Sequence, residues 1–129
     1  MDGFAQETCR DLTHTQWAFA AMINTAETAL IQGVNLYSEE TRRILAGLEL
    51  HAGFLVGVPP PAGICGSARS MARQPTWEIA YNHYANRLGM PLPNMKQLIM
   101  RPGFRPTGVD HHLVWETLTH AEIGGVGIH

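Results

Sequence analysis

The chain has 129 residues, 45% hydrophobic and 16% charged, with a formal net charge of −2. That composition predicts one globular domain over residues 1–129 that buries roughly two thirds of its unfolded surface, and it excludes a disordered chain. The charge lacks the basic excess of a nucleic-acid binder. No run approaches the ~20 apolar residues of a membrane span.

The N-terminal stretch through Asp11 reads as irregular up to a helix start. Met1-Asp2-Gly3-Phe4 lacks the basic-then-apolar pattern of a signal peptide, which fits a cytoplasmic chain or a mature or partial piece of an exported one. Asp11 is a good N-cap, and a helix is predicted to Gln32 with Gly33 at C′. Leu12, Phe19, Ile23, Ala26 and Leu30 form one side of it. His14, Ala18, Ala21 and Thr25 form a small-residue side, so burial on most sides is expected. Ser38 is read as the cap of a second helix, with Glu39 and Glu40 in its first turn and a stripe of Ile44, Leu45, Leu48, Ala52 and Leu55.

From Gly57 to Pro75 the chain is rich in Pro, Gly and Ser and reads as a long loop. Thr76 is the expected cap of a third helix, Trp77 to Leu88, ended by Gly89. Trp77, Ala80, Tyr81, Tyr84 and Leu88 share one side, bordered by His83 and Arg87. Short helices are predicted for Pro93 to Met100 and Val114 to Glu122, and the glycine-rich tail at 124–127 is expected to fray. No strand alternation or internal repeat is present. The class is all-α, built from antiparallel helical hairpins.

Two short segments carry the chemistry. Arg10, His14 and Gln16 lie within two helical turns, and so do Tyr81, His83, Tyr84, Asn86 and Arg87. Arg offers a planar fork for carboxylates, and His or a phenol beside it can move a proton. Eight of the nine cations are Arg, with Lys96 the exception, which fits carboxylate recognition and surface salt bridges equally. A core role is the competing reading for each: hydrogen-bonded imidazole for His14, packing for Tyr81 and Tyr84. Asp110-His111-His112 is read as a polar loop and not a metal site, and Glu116 and His120 as a helical i, i+4 pair. Cys9 and Cys65 do not have metal-knuckle spacing; two buried thiols and one disulfide both fit. No metal or other cofactor is called for.

Several segments, in order, resemble the alginate lyase-like polysaccharide lyases. Arg10-Asp11-Leu12-Thr13-His14-Thr15 resembles that family's Arg-Asp-x-x-His-Thr, and Gln32-Gly33-Val34-Asn35-Leu36-Tyr37 its Gln-Gly-x-Asp-Leu-Tyr. Tyr81 to Arg87 and Trp115 to Ala121 are similar to two later family segments. The resemblance implies an α/α toroid that cleaves an acidic polysaccharide, alginate or glucuronan in type, by β-elimination. It implies a catalytic set drawn from His14, Tyr81, His83 and Tyr84, and substrate contacts from Arg10, Gln16 and Arg87. It also implies a secreted or periplasmic protein; in an exported chain Cys9 and Cys65 are expected to pair, because Cys65 lies in the long Pro/Gly loop, which needs an anchor, and Cys9 precedes the first helix. The family's upstream Asn-Asn-His is missing here, so the chain resembles the C-terminal part of the family domain, an incomplete ring. Faces too apolar for a few helices to cover then predict a homo-oligomer. A non-catalytic binding or structural remnant of the lyase fold is the alternative, and a different small-molecule enzyme on the same fold a weaker third.

Overall fold

The computed structural model describes residues 2–61, 74–102 and 116–121, and these are all helix, turn or irregular chain. The protein is all-α. Helix α1 runs Leu12–Ile31, and Asp11 caps it as expected by accepting from the Thr13 and His14 amides. Gln32 closes it, and Gly33 takes φ +86°, a left-handed value that favours Gly.

The second helix is broken where the sequence suggested continuity. Asn35, not Ser38, caps a four-residue helix α2, Leu36–Glu39, and α3 then runs Thr41–Val56. Glu40 separates them at φ −129°, ψ 30°, outside the helical region. The break turns the fully buried Tyr37 toward α1. Gly57, at φ +103°, ends α3.

The third expected helix is also divided. It starts as α4, Glu78–Tyr81, without a Thr76 side-chain cap, and continues over Asn82–Arg87 as a π-helix. Helix α5 is Pro93–Ile99, with Pro at the first turn where its missing N–H is harmless. Helix α6, Glu116–His120, packs on α4.

Contacts fix the directions. Tyr37 meets Glu27, while His51 further along meets Phe19 and Thr8, so α3 runs back along α1. Trp77 meets Gln16 and Arg87 meets Glu27, so the α4–π stretch runs with α1. Glu49 holds the Asn94 and Met95 amides and the Val56 carbonyl accepts from Arg101, so α5 runs with α3. The core between them holds Leu12, Ile23, Tyr37, Leu48, Phe54, Trp77, Tyr84, Met95 and Leu98. Leu88, expected to be buried, is 58% exposed just before the turn at Gly89.

Cys9 is disulfide-bonded. Cys65, Asp110-His111-His112, the middle of the long loop, residues 103–115 and the tail from Glu122 lie outside the described residues. None of the described helices is long and apolar enough to cross a membrane.

Candidate active site

The first turn of α1 presents a paired base. Asp11 Oδ1 accepts from the amide of Thr13 at 2.7 Å, and Oδ2 lies 2.7 Å from His14 Nδ1. A carboxylate only accepts, so the shared proton sits on Nδ1, and in the neutral imidazole the lone pair is then on Nε2. The His14 bond, followed by the Thr13 and His14 amides, holds the Asp11 carboxyl below its ordinary value. Among the described residues nothing bonds His14 Nε2. The ring is half exposed and stands edge-on to Trp17, with centroids 5.1 Å apart. Arg10 is exposed one turn earlier and, among the described residues, reaches only Glu7, at 3.2 Å. A base, a cation and a partly exposed indole thus lie on the outside of one helix end.

This overturns the expected burial of α1 on most sides. His14, Ala18, Ala21 and Thr25 all face solvent. The buried side is Leu12, Gln16, Ala20, Ile23, Ala26 and Glu27, because α2 and α4 pack against α1.

Gln16 and Tyr84 are core residues, not groups facing a substrate. Gln16 is fully buried; its Nε2 donates to the Leu12 carbonyl, and its Oε1 accepts from the Gln74 amide and the Trp77 indole. It pins the start of α4 to α1. Gln16→Ala is expected to lower stability by about 1–3 kcal/mol, since it strips buried donors of their acceptor. Urea midpoints would read this, and folded Gln16→Ala should keep the wild-type KM for any substrate. Tyr84 is fully buried and donates to the Tyr37 carbonyl. Burial pushes its phenol up to about 12, far from proton transfer at neutral pH.

Arg87 and His83 belong to a second cluster. Glu27 accepts from Tyr37 Oη at 3.0 Å, from Arg87 at 3.4 Å and from His120 Nε2 at 3.4 Å. His83 stacks on Tyr37 with centroids 3.7 Å apart and planes 13° from parallel. Burial, then the nearby Arg87 charge, lowers the His83 pKa. Burial alone would raise the Glu27 carboxyl, but Tyr37, Arg87 and His120 together hold it below its ordinary value. His120 reaches Glu27 on α1 and Thr119 beside it, so its expected i, i+4 partnership with Glu116 gives way to a contact across the fold.

The two clusters do not meet. His14 and Glu27 are thirteen positions apart on α1, ~20 Å along the axis at 1.5 Å per residue. The catalytic set and substrate contacts implied by the resemblance are therefore not gathered in one groove among the described residues: His14 lies away from Tyr84 and Arg87. Tyr81 lines neither cluster; it borders a hollow against α5. In the sequence Asp11 reads as a cap alone, and neither Trp17 nor Glu27 stands out. The i, i+3 spacing of Asp11 and His14 was a usable signal, whereas nothing local links Glu27 to Arg87 or His120. Among the described residues no three His, Cys, Asp or Glu side chains are grouped to hold a metal ion.

Comparison of the chain with family models, curated proteins and solved structures finds no match.

Proposed function

We propose that the chain carries part of a polyuronate lyase site, with His14 as the general base. The carrying observation is the Asp11–His14 pair, which leaves Nε2 without a bond among the described residues, on a half-exposed ring beside Arg10 and Trp17. Arg10 neutralises a uronate carboxylate, which acidifies the adjacent C5–H. His14 Nε2 takes that proton. The electron pair becomes the C4=C5 double bond, the C4–O bond breaks, and the leaving oxygen takes a proton from the imidazolium or from water. Trp17 gives the sugar ring an aromatic wall. The resemblance of the Arg10–Thr15 segment to alginate lyase-like enzymes supplies the substrate class. On the same reading the helices form part of an α/α toroid.

The alternative is a non-catalytic remnant that binds or braces. The distance between the His14 and Glu27 clusters and the burial of Gln16 and Tyr84 favour it. Incubation with alginate, glucuronan and other polyuronates decides: a 4,5-unsaturated product absorbing in the ultraviolet supports the lyase, and none on any polymer leaves the remnant.

Export and self-association belong to this proposal. The Cys9 disulfide supports an oxidising compartment. Trp17 and Met22, 37% and 36% exposed beside Ala18 and Ala21, put apolar side chains on the outer side of α1, which fits self-association. Sedimentation giving a 14.2 kDa species at all concentrations would rule out the oligomer.

A further inference from the structure

A hollow of ≈ 400 Å³ opens where the π-helix turns into α5. It shares no residue with the Asp11–His14 pair or the Glu27 cluster. Its volume lies within the range of small-ligand sites. Three polar side chains face it: Tyr81, Asn86 and Lys96. Met90, Pro91 and Leu92 supply an apolar wall.

The polar groups are not consumed by the fold. Among the described residues the Lys96 ammonium has no acidic partner and the Tyr81 hydroxyl no hydrogen-bond partner. Asn86 donates one amide hydrogen to Asn82 Oδ1 at 3.3 Å, which leaves its own carbonyl oxygen as an acceptor. Lys96 is the chain's one lysine, whereas Arg10, Arg43 and Arg87 each pair with a glutamate. Gly89, at φ +68°, makes the turn that brings Pro91 and Leu92 across from Tyr81. A phenol, an amide and a lone ammonium beside a small apolar wall match a ring that has one apolar face, hydroxyl groups and a carboxylate.

We infer that this hollow is a binding subsite for a single uronate residue, with its carboxylate on Lys96, its hydroxyls on Tyr81 and Asn86, and its ring against Pro91 and Leu92. The inference rests on the proposed polyuronate reading for its substrate class. It gives Tyr81 a binding role in place of the proton-transfer role suggested by sequence.

The single lysine gives a single side-chain ε-CH2 signal, so titration is direct. Glucuronate added to the isotopically labelled chain should shift the Lys96 and Tyr81 signals saturably. Glucose, which lacks the carboxylate, should leave them in place. Lys96→Gln should weaken glucuronate binding about threefold to tenfold, followed on Tyr81, and added salt should weaken binding to the wild type. Tyr81→Phe should weaken it less. Lys96 is exposed, so its substitution leaves the core untouched. Equal binding by wild type and Lys96→Gln, or no shift at either residue, overturns the subsite. A chain inactive on every polyuronate that still binds glucuronate through Lys96 would keep the subsite and sink the lyase. An active lyase whose Lys96→Gln form binds glucuronate normally would do the reverse.

Discussion

His14→Ala is expected to lower kcat for uronate β-elimination by roughly 10²–10⁴-fold, the range for loss of a general base. The fold should survive, because His14 is half exposed and its described side-chain contacts are to Asp11 and Trp17. Asp11→Asn separates orientation from folding. Asn caps a helix as well as Asp, so α1 should keep its start. The amide can, however, donate to Nδ1 where the carboxylate only accepts, so the imidazole loses its enforced tautomer and kcat should fall while KM changes little. Arg10→Lys retains the charge and loses the two-pronged fork. Its loss should appear in kcat as well as KM if Arg10 meets charge that grows in the transition state. Initial rates of ultraviolet absorbance, with circular dichroism as the folding control, measure all three. Near-wild-type turnover by His14→Ala would remove it as the base and return its bond with Asp11 to simple helix capping.

Legibility in the sequence followed the range of the interactions. Helix α1 could be read almost to the residue, because Asp11 and Gly33 act on their own backbone. Helix α5 was equally plain from Pro93 and its apolar spacing. The break at Glu40 was not, because Glu39 and Glu40 suit a first helical turn and the deciding event is the docking of Tyr37 against Glu27. The π-helix was hidden for the same reason: Asn82 to Arg87 has ordinary helical composition, and His83 and Arg87 find their partners on α2 and α1. The site divides the same way. Asp11 and His14 are three residues apart and could be paired by spacing. Gln16 looked like a free amide, yet its partners Gln74 and Trp77 lie 58 and 61 positions away.

Glu27→Ala is expected to cost about 2–4 kcal/mol, because three side chains from other elements meet on its carboxylate. Breaking a buried ion pair by removing one partner costs about 3–5 kcal/mol when the other charge stays trapped. Here Arg87 is 45% exposed and can turn to water, which discounts that figure. Tyr37 cannot: it is fully buried, and its remaining acceptor is the Ile23 carbonyl at 3.4 Å. His120 loses its tie to α1 as well, which loosens α6. Glu27→Gln keeps a carbonyl for Tyr37 and should cost about half as much. The wild type should also weaken with acid in two stages. His83 has a lowered folded pKa, so its stabilisation is present above the unfolded value of about 6.5 and is lost as pH falls toward the folded value. Glu27 also has a lowered folded pKa, so its share is present above the ordinary carboxylate value and drains away as pH falls through the folded one. Glu27→Ala should therefore keep the first stage and lose its share of the second. Urea midpoints of both proteins from pH 7.5 down to pH 3 would show it. Parallel curves through the acid limb, or a midpoint unchanged at pH 7.5, would mean that Glu27 does not hold α1, α2, the π-helix and α6 together.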